Sequence, residues 1–128
     1  MTVQQISVFL ENRPGKLAEF TKILSDNSID IRALSVADAS DFGIIRMIVD
    51  DVFKATTVLK DANYICSITK VLAVEIPDKP AALSDMIATL GSKDVNIEYM
   101  YALHNHKEGV AYIILRVKDS DRAMQVLD

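Results

Sequence analysis

Val8-Phe9-Leu10-Glu11-Asn12-Arg13-Pro14-Gly15-Lys16-Leu17 returns 66 positions later as Val74-Glu75-Ile76-Pro77-Asp78-Lys79-Pro80-Ala81-Ala82-Leu83. Each version alternates apolar residues, turns at a polar-basic-Pro step, and then starts a helical stripe. Period two before the turn reads as a strand, and Leu17, Phe20, Ile23 and Leu24 after it read as one helix face. The second stripe is Leu83, Met86, Ile87 and Leu90. Pro14 and Pro80 suit a first helical turn, where a missing N–H costs nothing. Further identities fall at Leu24/Leu90, Ile31/Ile97, Gly43/Gly109 and Ile48/Ile114, and no gap is needed from Val8 through Val49. The two halves are therefore expected to share a fold.

Outward from this core, Asn27-Ser28 and Gly91-Ser92 end the helices. Ile29 to Val36 and Gly43 to Val49 form a hairpin around Ala39 to Phe42. Its counterpart is Val95 to Leu103 and Gly109 to Val117, around Asn105 to Glu108. Asp50-Asp51 caps a helix through Leu59, and Asp119-Ser120-Asp121 does the same before Ala123 to Leu127. Tyr64 to Ile68 is a fourth strand, and Val71 to Ile76 opens the second copy. Copy one (1–69) thus reads β-α-β-β-α-β, an α+β ferredoxin-like arrangement with an antiparallel sheet and helices on one face. Copy two (70–128) reaches only its second helix, so its fourth strand is absent from the chain. Either further chain or another segment must cover that sheet edge.

The totals narrow the function. Copies of this size sit near the lower limit for an independent core, so shared burial with each other or a second chain is expected. The net charge is −4 and the 14 Lys and Arg are scattered, which argues against nucleic acid. The N-terminus has no signal-peptide pattern, and the run Ile44 to Val49 is too short to cross a bilayer. With Cys66 alone, no disulfide framework or cysteine metal site is expected. A cytoplasmic protein follows.

Catalytic candidates are weak. His104 and His106 lack carboxylate or cysteine partners for a metal and read as solvated loop residues. No histidine is placed to activate Cys66, which reads as a small buried side chain. Asp38, Asp41, Asp50 and Asp51 are explained by caps and turns. There is no Ser-His-Asp order, phosphate loop or dinucleotide glycine pattern. No enzyme, cofactor or metal site is expected.

Asn12-Arg13-Pro14-Gly15-Lys16-Leu17 remains the informative stretch. A helix start exposes N–H groups that favour a carboxylate, and Gly15 lets a ligand approach the backbone. The plain alternative is a tight turn that suits Pro-Gly.

Glu11-Asn12-Arg13-Pro14-Gly15, a helix, and then Ile29-Asp30-Ile31 resemble the ACT domain family, small ferredoxin-like modules that bind amino acids. The whole chain is similar to free-standing proteins made of two such domains. That resemblance implies a ligand between paired domains, held by the first loop of one and the start of strand two of the other. The loop positions are Asn12 and Asp78, and the strand-two positions are Asp30 and Asn96. Crossed between copies, Asn12 meets Asn96 and Asp78 meets Asp30. Neutral amides can donate to a carboxylate and accept from an ammonium, whereas two aspartates repel the ligand's carboxylate. One competent site is expected, drawing on Asn12, Arg13, Pro14, Gly15, Lys16 and Leu17 with Asn96 and Ile97. The second, with Asp30, Asp78, Lys79 and Ala81, is expected to be degenerate.

A helix end contributes about 0.3–1 kcal/mol to an anion, while micromolar affinity needs about 8 kcal/mol. The ligand's side chain must therefore find a pocket, for which Leu34, Tyr99 and Tyr101 are candidate walls. The expected function is a non-catalytic amino-acid sensor, a homodimer that signals to a protein partner. Its rival is a ligand-free regulatory or oligomerisation subunit acting through its sheet surface. Val110, Tyr112 and Ile114 alternate with Ala111, Ile113 and Leu115, so both faces of that strand are apolar.

Overall fold

The structure, a computed structural model, describes residues 1–39, 42–103 and 107–128, without the side chains of residues 38 and 39. His104, His106 and Asp41, with the tips of both hairpins, lie outside the described residues. The elements run β1 (Thr2–Glu11), α1 (Lys16–Asp26), β2 (Ile31–Ala39), β3 (Phe42–Val49), α2 (Val52–Asp61), β4 (Cys66–Pro77), α3 (Ala82–Ser92), β5 (Tyr99–Leu103), β6 (Val110–Arg116) and α4 (Ser120–Leu127). No helix among them is long and apolar enough to cross a membrane. The chain divides into two compact units, Gln4–Thr69, and Lys70–Asp128 joined by Met1–Val3.

In the unit of copy one the strands run β2-β3-β1, all antiparallel. The N–H of Phe9 donates to the C=O of Ile65 at 3.3 Å, so the segment leading into β4 lies along β1. Ile6, Val8 and Leu10 alternate towards the helices and meet Phe20 and Leu24 of α1, Ala55 and Leu59 of α2, and Ile45, Met47 and Val49 of β3. Phe20 and Leu24 are fully buried, each contributing roughly 1.5–3 kcal/mol of apolar transfer. Period two on the strands and period 3.6 on the helices thus converge on one core.

Copy two repeats the arrangement as β4-β6-β5. Leu72 and Ile76 pack with Met86, Leu90, Ile113, Leu115, Val117 and Ala123. Among the described residues no strand follows α4, and Met1–Val3 belong to this unit. The N–H of Ala73 donates to the C=O of Met1 at 2.9 Å. The N-terminal residues therefore lie beside β4, where a fourth strand would pair.

Three local expectations are corrected. The residues read as two strands, Tyr64 to Ile68 and Val71 to Ile76, fall largely within one continuous β4. Pro14 and Pro80 precede the helices instead of opening them, because Gly15 and Ala81 are the N-caps. Gly91 and Ser92 remain helical, and the chain leaves α1 and α3 through left-handed residues at Ser28 (φ 57°) and Asp94 (φ 59°).

The gapless repeat also fails at the hairpin. Leu10 faces Gly43, whereas Ile76, 66 positions on from Leu10, faces Ala111, 68 positions on from Gly43. From β3 onward the equivalent of each residue lies 68 positions later. Ile45 matches Ile113, Asp51 matches Asp119, and fully buried Ala55 matches fully buried Ala123. Copy two therefore carries two extra residues in its hairpin. The identities Gly43/Gly109 and Ile48/Ile114 do not correspond in space. Gly109 has φ 79° outside β6, while Gly43 lies inside β3.

Candidate functional site

Helix starts separate into two kinds. The Asp51 carboxylate accepts from the N–H of Lys54 at 3.0 Å, and that of Asp119 from the N–H of Arg122 at 3.0 Å. These caps account for Asp51 and Asp119, whereas Asp50 does not cap α2: its Oδ1 accepts from the N–H of Asp30. At α1 and α3 no side chain caps the helix. Gly15 takes φ 85° and ψ −16°, and the N–H of Lys16 bonds back to the C=O of Arg13 at 3.3 Å. Glycine suits this left-handed step because it has no Cβ to clash.

Beside this turn lies a cavity of about 90 Å³ lined by Leu10, Glu11, Asn12, Arg13, Leu17, Val36, Gly43 and Ile45. Its walls are largely aliphatic, and its polar end is the Asn12 loop. The register places Leu10 opposite Gly43 and Val36 opposite Ile45, so four wall residues come from three neighbouring strands. Leu17 and Val36 remain 41% and 51% exposed. A Cβ at Gly43 would stand 3.9 Å from Cγ1 of Val36 and 3.8 Å from the C=O of Leu10. Glycine there keeps the hollow open. Such a hollow accepts a short apolar group while a helix N-terminus faces an anion.

Of the expected ligand residues, Asn12, Arg13 and Leu17 line this cavity. Arg13 Nε pairs with Glu11 at 2.8 Å, and Lys16 Nζ with Glu19 at 3.6 Å. Both pairs are partly or well exposed and of small energetic value. Ile97 packs against the core of copy two. Asn96 lines a separate hollow of about 280 Å³ with Asp94, Val95, Lys118, Asp119 and Arg122. Leu34 shares the face of Val36 by register but the cavity wall includes Val36 instead. Tyr99 and Tyr101 alternate with Met100, which packs on the core, and so take the opposite face of β5.

The positions expected to form a degenerate site also have partners. Asp30 Oδ2 pairs with Arg32 Nε at 2.9 Å. The N–H of Asp78 donates to the C=O of Gly109 at 2.9 Å, and that of Lys79 to Pro77 at 3.0 Å. Asp78 lines an open hollow of about 830 Å³ with Lys107, Glu108, Gly109 and Ala111 among others. Ala81 adopts φ 75°, so its methyl leaves the turn's shape intact.

Val36, Gly43 and Ile45 were not singled out by sequence reasoning. An exposed valine on the helix side of a strand, next to a residue without a side chain, is the signal that marks them. Burial pushes the Cys66 thiol up, with Lys60 opposing in part. A raised thiol holds its proton near neutrality and is a poor nucleophile. Among the described residues no group of three His, Cys, Asp or Glu is arranged to hold a metal.

The sequence model of the family described as ACT domain pair matches residues 1–127. Among solved structures, protein BT0572 from Bacteroides thetaiotaomicron is 38% identical with a TM-score of 0.91, covering 99% of this chain and 87% of that one. The ligand-free regulatory subunit of aspartate kinase from Thermus thermophilus is 16% identical with a TM-score of 0.69, covering 99% and 93%. The corresponding subunit from Thermus flavus is 15% identical with a TM-score of 0.63, covering 98% and 94%. No curated protein matches the sequence.

Proposed function

Because the chain belongs to the ACT domain pair family, we propose that it is a non-catalytic regulatory protein that binds a free amino acid, drawing on Asn12 and Asn96. The observation that carries this reading is the juxtaposition at α1: an N-terminus without a side-chain cap beside an aliphatic cavity with Asn12 at its polar end. The ligand's carboxylate faces the N–H groups of the first turn, and Asn12 serves its polar atoms. A short aliphatic side chain enters the hollow between Leu17, Val36 and Ile45. Asn96 contributes its side-chain amide to the ligand. The Asp30 and Asp78 pair, carrying two carboxylates, has lost this ability.

Binding acts as a signal only if it favours one arrangement of the protein over another. A protein partner reads that arrangement, and the working form is a cytoplasmic homodimer. The test is a thermal-shift screen of the twenty amino acids on the full chain, followed by titration. Stabilisation that grows with concentration is expected for one or a few aliphatic amino acids. Asn12→Ala and Asn96→Ala should abolish it, whereas Asp30→Ala and Asp78→Ala should leave it. Equal losses from all four substitutions would defeat the crossed assignment.

One observation favours the rival reading of a ligand-free interaction module. Phe9, Phe42 and Ile65, all more than half exposed, line a hollow of about 250 Å³ with Glu11, Lys16 and Glu19. Exposed aromatic surface of this kind suits a protein contact. A flat response to all twenty amino acids, with self-association weakened by Phe9→Ser, supports that alternative.

A further inference from the structure

Copy one closes the start of its second strand with its own carboxylate. The N–H of Asp30 donates to Asp50 Oδ1 at 3.0 Å, and the N–H of Asp50 returns a bond to the C=O of Asp30 at 3.1 Å. Copy two has Asn96 in place of Asp30 and, by the two-residue offset, Lys118 in place of Asp50. Among the described residues no hydrogen bond joins Asn96 to Lys118. The ladder starts correspondingly later, at Tyr99 instead of residue 97. Between these two stretches lies the hollow of about 280 Å³.

From this difference we infer that copy two binds a small external carboxylate where copy one supplies Asp50. The acceptor of the Asn96 N–H has been replaced by a cation, and a second cation, Arg122, lines the same hollow. Arg122 also takes the place of Lys54 of copy one. Its Nη2 donates to the C=O of Lys93, which anchors the side chain while other guanidinium N–H groups remain for a ligand. Of the two carboxylates in the wall, Asp119 already accepts from the Arg122 N–H as the cap of α4. Asp94 is the remaining anion, set against Lys118 and Arg122. Charge-assisted hydrogen bonds to a carboxylate are stronger than neutral ones and favour a planar two-oxygen group on Arg.

This inference lies within the second unit and stands whether or not an amino acid binds at Asn12. It uses the Asn96 backbone N–H, whereas the amino-acid reading uses the Asn96 side chain. The test is an amide NMR titration of the full chain with succinate, with chloride at matched ionic strength as control. Saturable shifts are expected at Asn96, Lys118 and Arg122. Lys118→Asp, which restores the internal carboxylate of copy one, should weaken succinate binding about tenfold or more. The same substitution should slow hydrogen exchange at the Asn96 amide, a change that requires a folded protein. Asn96→Ala, which keeps the N–H, should retain succinate binding while losing the amino-acid response. Linear shifts that chloride reproduces would overturn the inference. Undiminished binding by Lys118→Asp would also overturn it. Inorganic phosphate saturating the same amides as tightly as succinate would overturn the choice of a carboxylate.

Discussion

Gly15 and Ala81, the N-caps of α1 and α3, hold one left-handed backbone conformation, with φ 85° and 75° and ψ −16° and −17°. A residue with a Cβ costs about 1–2 kcal/mol in this conformation. Glycine gives back roughly 0.5–1 kcal/mol because its unfolded chain is freer. Ala81→Gly is therefore expected to stabilise the protein by about 0.5–1 kcal/mol, and Gly15→Ala to destabilise it by a similar amount. A Cβ at Gly15 would meet nothing within 4 Å, so the change is one of backbone strain and not of packing. Urea midpoints of the two variants check both signs.

Asp51 and Asp119 supply the only side-chain caps seen at the four helix starts among the described residues. Replacing either by alanine should cost about 1 kcal/mol. Asn in place of Asp should recover most of it, since its side-chain oxygen still accepts the same N–H. Asp50→Ala differs in kind: it releases the Asp30 N–H and loosens the start of β2, so its expected signature is faster amide exchange at Asp30. Denaturant melts combined with exchange at Asp30, Lys54 and Arg122 separate the two roles.

Why the fold was legible and the two-residue offset was not follows from one property of strands. Side chains alternate with period two, so inserting two residues leaves every apolar residue on its original face. Ile45, Met47 and Val49 point at the core, and so do both their true equivalents Ile113, Leu115 and Val117 and the 66-shifted Ala111, Ile113 and Leu115. Pattern alone cannot choose between them. The helical cap does, because Asp51 and Asp119 have a side-chain function that period two cannot mimic. Continuity of β4 was hidden for a related reason: polar Thr69 and Lys70 look like a break but sit in an unbroken strand. The Asn12 loop was readable from its residues. The cavity beside it depends on Val36 and Gly43, which meet only through the β1–β3–β2 register.

Alkaline conditions should destabilise the fold through Cys66 and Tyr64. The Cys66 thiol is pushed up by burial, against a smaller opposing effect of Lys60. The Tyr64 phenol is pushed up by burial and then by the charge of Glu19. Each group holds its proton more tightly in the folded protein than in the unfolded chain. Their stabilising effect is complete below the ordinary thiol and phenol values and is lost as pH rises through the raised ones. Urea midpoints measured from about pH 8 to about pH 11 should fall, and Cys66→Ser with Tyr64→Phe should flatten part of that slope. An unchanged slope in the double variant would show that other groups carry the effect.

Gly43 offers the sharpest test of which side chain enters the cavity. Its added Cβ would stand 3.5 Å from the Ala37 carbonyl oxygen and 3.9 Å from Val36 Cγ1, ordinary contacts that the strand can bear. Copy two already carries Ala111 at the equivalent place, facing Ile76 as Gly43 faces Leu10. The smaller Ala102 replaces Val36 there, so the two positions exchange volume. Gly43→Ala should therefore fold with stability close to the parent while removing a methyl's worth of room. A methylene in an apolar pocket is worth about 1–3 kcal/mol of discrimination. The variant should lose about tenfold or more in affinity for the largest aliphatic amino acid that binds the parent. Gly43→Ala with Val36→Ala should recover it. Titration calorimetry across glycine, alanine, valine and leucine reads the change directly. Uniform weakening across all four would place the ligand's side chain outside this hollow.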